Sequence, residues 1–339
     1  MTKIFAVAVL LSLCSCHRRP LEDPNMLHYI RVYSDEKLLN VTTGFYNPEH
    51  EHPEFKRPEV FRLSFYDSET GKLTADRFLR NSGEDERGHY WDGYIALESG
   101  DYMMVAYGLG TEYTNITDNG NFRNAIATTD VLPSFITNSL HSTRASGNIR
   151  FDADHLLASV SHELRVPSTP DIDTLRAENG ERFFIAESVV KSYYLQIKVK
   201  GVKYLSDAVC LQTGLAQQKL LSTGDISDSP EATIYFETNT DVSDSDADTG
   251  VIYATFGTFG KLPDADNQLS ITFELSTNYG KIYLAELDIT DEYATENARV
   301  HQWIIIEKEI QIPEPSDDGG SGLTPSVGEW DDIQSDIVI

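Results

Sequence analysis

Cysteine is nearly missing from this chain of 339 residues, which carries three in all: Cys14, Cys16 and Cys210. So few thiols exclude a disulfide-stapled scaffold, and without a CxxC pair the common structural zinc sites are excluded as well. Basic residues are scarce too, with 27 Lys+Arg against 54 Asp+Glu and a formal net charge of −27. A field of that sign repels phosphate backbones and anionic headgroups, so neither a nucleic-acid partner nor a peripheral membrane helix is expected. The chain has no GxSxG elbow and no HExxH, and Gly108-Leu109-Gly110 lacks the third glycine of a dinucleotide loop. With so many carboxylates, pairs spaced for glycoside hydrolysis arise by chance and point to no hydrolase, so a non-enzymatic protein without cofactor is expected. The hydrophobic fraction, 40%, is nonetheless ordinary, and at this length two domains can each bury a core.

The N-terminus supplies a different kind of anchor. Lys3 precedes an apolar run of ten residues, Ile4–Leu13, half of the roughly 20 that a helix needs to cross a bilayer. The run therefore reads as the apolar part of a signal peptide, residues 1–15. Leu13 three residues and Ser15 one residue before Cys16 form a lipobox, whereas cleavage before Cys14 would place bulky Leu13 at the cut. Acyl chains such as palmitate on Cys16 contribute about 0.8 kcal/mol per buried CH₂, enough to hold even this acidic chain on a membrane. Cys210, inside Ala208-Val209-Cys210-Leu211, reads as a buried and inert thiol.

Almost every periodic segment alternates with period two. Val60–Tyr66 alternates and then meets Asp67-Ser68-Glu69-Thr70-Gly71, a hairpin turn signal. Tyr94–Leu97 and Tyr102–Tyr107 flank Glu98-Ser99-Gly100-Asp101 and read as paired strands. Leu27–Tyr33, Asn148–Phe151, Ala158–Leu164, Ser192–Val199, Thr233–Glu237, Val251–Phe256, Leu269–Leu275, Lys281–Leu287 and Gln302–Ile312 complete the strand set, with one helix over Asp130–Leu140. Their Val, Ile, Tyr, Phe and Thr content indicates an all-β protein of β-sandwiches. The proline-interrupted stretch Arg165–Asp173 suits a connection, and the boundary is placed near residue 185, giving domains 16–185 and 186–312. Residues 313–339 form an acidic Pro/Gly/Ser linker followed by Trp330 and a strand-forming end in which Ile333, Ile337 and Ile339 share one face and Val338 the other. Such a tethered strand folds back on its own domain or adds to another subunit.

Three polar groupings invite a chemical reading. Glu49-His50-Glu51-His52 offers two imidazoles without a third ligand at a familiar spacing, and the flanking Pro48 and Pro53 make it an exposed loop. Asp244, Asp246 and Asp248 alternate as in a calcium loop, but Thr255 stands where the closing Glu belongs, which favours a solvated acidic hairpin loop. The 17 tyrosines and 3 tryptophans fill strands or form a platform for carbohydrate, so a surface glycan-binding lipoprotein is the alternative function.

The lipobox followed by His17-Arg18-Arg19-Pro20-Leu21, the turn Glu98-Ser99-Gly100-Asp101-Tyr102, Thr255-Phe256-Gly257-Thr258-Phe259-Gly260, Leu287-Asp288-Ile289-Thr290 and the Trp330-containing tail resemble, in order and spacing, the Bacteroidales fimbrillin superfamily. Among its members the chain is most similar to the fimbrial anchor and accessory lipoproteins of type V pili. The resemblance implies two transthyretin-like β-sandwich domains, lipid attachment to the outer membrane through Cys16, and cell adhesion through a fimbrium whose stalk subunits exchange β-strands. It also implies an N-terminal strand holding Leu27, Tyr29, Ile30 and Val32, and a donor strand holding Trp330, Ile333, Ile337, Val338 and Ile339. In stalk subunits the first strand is released by cleavage after an Arg. Here Arg18 and Arg19 precede that strand, so cleavage there would remove the lipid without opening a groove, and Arg31 lies within it; retained lipid together with a donor tail is the combination expected of an anchor.

Overall fold

The computed structural model describes residues 27–35, 50, 55–118, 120–142, 147–168, 174–242, 248–263 and 269–315. Among these the chain forms, in order, β1 (Leu27–Ser34), β2 (Val60–Asp67), β3 (Leu73–Leu79), β4 (Asn81–Asp85), β5 (Gly88–Ala96), β6 (Gly100–Leu109), β7 (Thr114–Thr117), β8 (Ile126–Thr129), β9 (Ile149–Phe151) and β10 (Leu157–Val166). The series continues with β11 (Phe184–Ser188), β12 (Lys191–Lys200), β13 (Leu205–Ala216), β14 (Gln218–Leu220), β15 (Glu231–Glu237), β16 (Asn239–Val242), β17 (Thr249–Thr258), β18 (Ser270–Thr277), β19 (Ile282–Asp288) and β20 (Trp303–Gln311). The protein is all-β.

The first eight-stranded sheet runs β3-β2-β6-β10-β11-β1-β5-β4. It curls so that its two walls face one another across a single core. Phe61, Leu63 and Phe65 of β2 and Met104 and Ala106 of β6 lie on one wall, opposite Ile30 and Val32 of β1 and Trp91 and Ile95 of β5. In the second half, the sheet β16-β17-β12-β20 packs on β19-β18-β13-β15-β9. Leu195, Ile197 and Val199 there meet Cys210, Ile234, Phe273 and Leu287, every second residue pointing inward as the alternation requires. Cys210 is a buried free thiol whose pKa is pushed up by its apolar surroundings.

Two sequence expectations are corrected. The segments on either side of Glu98-Ser99-Gly100-Asp101 do not pair: β5 lies between β1 and β4, and β6 between β2 and β10. Alternation shows that a strand has an inner face, not which strand lies beside it, and here the turn carries the chain from one wall to the other. The helix over Asp130–Leu140 shortens to one turn, Ser134–Thr137. Leu132 precedes Pro133, which disfavours helical backbone, and its N–H instead donates to the Ile149 carbonyl at 2.9 Å.

The halves are laced together. β9, from the first half of the chain, adds in parallel to β15, while β14, from the second, pairs with β8. Immediately after β9, the Ala153 N–H donates to the Gly257 carbonyl at 2.9 Å and the Gly257 N–H donates to the Asp152 carboxylate at 3.1 Å. A Cβ on residue 257 would lie 1.9 Å from the Ala153 carbonyl oxygen, so only glycine lets the two backbones approach this closely. Asp154, two residues on, accepts from the Tyr113 and Thr114 N–H groups at 2.5 and 2.8 Å. Neighbouring aspartates thus hold opposite halves. Gly257→Ala is expected to lower stability by about 1–3 kcal/mol or more, the cost of overpacking a closed site, read as a lower urea midpoint. An unchanged midpoint would show that the seam is not closed at this point.

Candidate strand-exchange interface

β1 carries an apolar side and a polar side because its residues alternate. His28, Ile30 and Val32 point inward and are buried, while Leu27, Tyr29 and Arg31 are only partly covered. Burying Ile30 and Val32 fully is worth about 1.5–3 kcal/mol each. On one side β1 pairs with β5 in antiparallel register over seven residue pairs, from Leu27 opposite Ala96 to Tyr33 opposite Tyr90. On the other side Val32, Tyr33 and Ser34 pair in parallel with Phe184, Ile185 and Ala186 of β11. The strand is therefore an interior member of its sheet, paired over seven residues with β5 and at its C-terminal end with β11.

The outer face is organised around Arg31. The register sets Arg31 opposite Asp92, Tyr29 opposite Tyr94 and Tyr33 opposite Tyr90. The Arg31 guanidinium donates to Asp92 at 2.9 Å, to the Tyr29 hydroxyl at 2.8 Å and to the Tyr33 hydroxyl at 3.2 Å, and its Cζ lies 4.0 Å from the Tyr90 ring centre. Asp92 also accepts from Tyr29 and, at 2.5 Å, from Asn81, while Asp85 accepts from Tyr33 at 2.6 Å. Gly83, opposite Tyr90 on β4, leaves room for that ring, since a Cβ would lie 2.6 Å from the Tyr90 hydroxyl. Burial alone would raise the Asp92 pKa, but the hydrogen bonds from Tyr29, Asn81 and Arg31 outweigh it and hold the carboxyl below its usual range. Burial first and Asp92 second push the Tyr29 hydroxyl up to about 12. The Asp92 contribution is accordingly full above the ordinary carboxylate range and is lost as pH falls through that range and past its lowered pKa.

Other sites singled out in the sequence resolve differently. His50 is buried rather than on an exposed loop. Its ring stacks on Tyr253 with centroids 3.8 Å apart, and Nδ1 lies 2.6 Å from the Tyr194 hydroxyl. His52, Asp244 and Asp246 lie outside the described residues, and Asp248 is ion-paired with Lys203 at 3.2 Å. Cys16 and the tail residues Trp330, Ile333, Ile337, Val338 and Ile339 also lie outside them. Ser192 approaches His155, its Oγ lying 3.5 Å from Nδ1 and 3.4 Å from Nε2, the outer limit of a hydrogen bond to either nitrogen.

Sequence reasoning placed the first strand but missed the lock on its outer face. Tyr29-Ile30-Arg31-Val32-Tyr33 showed which residues face out; the partners Asp92 and Tyr90 depend on a register with β5 that no local pattern carries. An Arg-directed protease needs an extended segment with the arginine side chain free, so wild-type protein is expected to resist cleavage after Arg31. Asp92→Asn, which removes charge-assisted hydrogen bonds worth about 1.5–3 kcal/mol, should accelerate that cleavage at least about tenfold by intact mass. Equal rates would show that the network does not hold β1.

Among curated protein sequences none matches the chain. An adhesin candidate from Bacteroides ovatus ATCC 8483 is similar in structure, with a TM-score of 0.58 at 18% identity over 89% of this chain and 98% of that one. The fimbrial anchor protein Mfa2 from Porphyromonas gingivalis aligns with a TM-score of 0.44 at 9% identity, over 84% of this chain and 90% of that one. A candidate polysaccharide-binding protein from Bacteroides thetaiotaomicron gives 0.46 at 11% identity, over 84% and 90%. At 18% identity the first of these establishes a shared fold, and the strand-rich fold implied by the fimbrillin resemblance is the one observed. The family model of a domain of unknown function, DUF5119, matches residues 50–237, more than half of the chain, and the chain therefore belongs to the DUF5119 family.

Proposed function

We propose that this protein is a non-enzymatic lipoprotein of the outer membrane that anchors a fimbrium, or helps to assemble it, by β-strand exchange with stalk subunits, and so serves cell adhesion. The observation that carries the reading is the seating of β1. The strand is paired over seven residues with β5 and over three with β11, and is locked from outside through Arg31; in this reading the subunit keeps its own first strand. A subunit that keeps this strand cannot accept a donor at that position and joins a fibre by donating. The segment suited to that role is Ile333–Ile339 with Trp330, reached through the linker after Pro313. Its alternating isoleucines would fill successive pockets of an acceptor groove, while backbone hydrogen bonds supply sequence-independent affinity. Lipid on Cys16 supplies the membrane attachment that the negative charge would otherwise oppose. In this reading residues 16–185 and 186–312 are the two folded domains, and the structural likeness to an adhesin candidate from Bacteroides ovatus is in keeping with it.

Surface glycan binding is a second reading, favoured by one feature. Tyr94 is 62% exposed and meets Tyr29 edge to face at 5.3 Å, beside Arg31 and Asp92, which presents an aromatic surface next to polar groups. A glycan array should then show binding that Tyr94→Ala abolishes, whereas the absence of any array signal removes this reading. For the anchor, deletion of residues 327–339 is expected to leave the protein folded but abolish its association with a stalk subunit. A palmitate analogue fed to cells should label the wild type and not Cys16→Ala. Unchanged association after the deletion would refute the donor role, and equal labelling would refute the lipid site.

A further inference from the structure

Carboxylates outnumber basic residues two to one in this chain, yet three lysines meet at one cavity of the second sandwich. The cavity, of about 340 Å³, opens where the start of β12 lies beside β14 and the helical turn Thr290–Ala294. Lys191 and Lys261 line it from exposed positions, and neither forms an ion pair with a described residue. Lys219 of β14 is partly buried, and its Nζ donates to the Val189 carbonyl at 3.0 Å. Tyr193 completes the donor set. Its side chain lines the cavity and the residue is only 8% exposed, yet its hydroxyl has no hydrogen-bond partner among the described residues. That oxygen is not sealed in the core either, so it opens to the cavity. We propose that this cavity binds a carboxylated sugar, with the carboxylate among Lys191, Lys219 and Lys261 and a ring oxygen accepting from the Tyr193 hydroxyl.

Gathering these ammonium groups opposes folding rather than helping it. Burial lowers the pKa of Lys219 and the neighbouring charge of Lys191 lowers it further, while Glu187 opposes them. Asp288 attracts Lys261 through space, but its carboxylate accepts the Thr290 N–H at 2.9 Å and forms no ion pair. A structural lysine in so acidic a chain would be expected to find a carboxylate, since an unpaired, partly buried cation is costly. The backbone nevertheless holds the three in place. The Ala216 N–H donates to the Gly260 carbonyl at 2.9 Å, which fixes the segment bearing Lys261 against the end of β13, and Lys219 is tied to Val189. An anion seated among them would offset their repulsion.

The other walls decide what kind of anion. Ile226, Phe259 and Ala294 are apolar, and the Tyr293 hydroxyl is engaged by Gln212 Nε2 at 2.6 Å, which leaves its ring as wall. A bare inorganic anion would leave that surface uncovered. The volume lies within the range of small-molecule sites, and lysine, a point charge with three donors, takes a carboxylate without demanding a planar fork. A pyranose acid meets both demands, because its C–H face covers apolar wall while its hydroxyl oxygens accept from Tyr193. The site stands on the second sandwich, whereas Tyr94 belongs to β5 of the first, and it holds whether or not the protein anchors a fimbrium.

The test is an NMR titration of the full-length chain at low salt with glucuronate, glucose and inorganic phosphate, read on the Tyr293 ring signals. Glucuronate should bind with a Kd at least about tenfold below those of glucose and phosphate. Lys191→Gln together with Lys261→Gln removes two exposed charges and should raise the glucuronate Kd at least about tenfold. Tyr193→Phe breaks no hydrogen bond of the folded chain and should raise it about two- to tenfold. Four results would each overturn the proposal: no shift at millimolar glucuronate, equal binding of glucose, equal binding of phosphate, which would mark a site for any anion, or an unchanged Kd in either variant.

Discussion

The contact on which the rest of the structure depends is the closed backbone approach between Ala153 and Gly257. It is held by two hydrogen bonds and permitted by the absence of one methyl group. Around it β9 is delivered to the edge of the second sandwich and β10 to the interior of the first. The contact fixes the point at which the chain passes between the two. The packed cluster of Val105, Tyr107, Leu156, Val190, Ala216 and Phe259 lies along the same seam and draws its side chains from both halves. Apolar packing supplies area there, whereas the glycine and the aspartate supply position.

The excess of acidic residues takes on a structural meaning in this frame. Several carboxylates act as acceptors for backbone N–H groups that no strand ladder satisfies. Glu274 takes the N–H of His141 and Ser142 at 2.9 and 2.8 Å, and Asp154 takes those of Tyr113 and Thr114. Asp67 takes the Thr70 N–H in the β2–β3 turn at 2.7 Å. In a protein of short strands and many crossings, loops leave donors stranded, and an ionised acceptor satisfies two or three of them at once. The negative charge thus includes working acceptors as well as a solvated coat.

Much of the fold was legible because alternation is a local property. The segments at Val60, Leu27, Ser192, Val251 and Lys281 all form strands close to where their pattern places them. What escaped was polar or irregular. β3 and β4 carry Asp76, Arg77, Asn81 and Glu84 and lack a clean apolar alternation. β13, at the centre of the second sandwich, is bulged between Gln212 and Leu215, where Gly214 adopts a positive φ of 82°. A bulge shifts the inward phase by one residue and hides a twelve-residue strand from a period-two reading. His50 was misplaced for another reason: its partners, Tyr194 and Tyr253, lie far along the chain, and its flanking prolines described only the local backbone.

The amino-acid sequence by itself determined the all-β class and the inner and outer faces of β1, since each follows from spacing within about ten residues. Only the tertiary structure decided that β5 and β6 lie on opposite walls, that Arg31 meets Asp92, and that Gly257 must be glycine because Ala153 lies against it. The physical reason is common to all three. Strand order, register and close approach are set by which distant surfaces bury one another best, a free-energy comparison over the whole chain that no short segment contains.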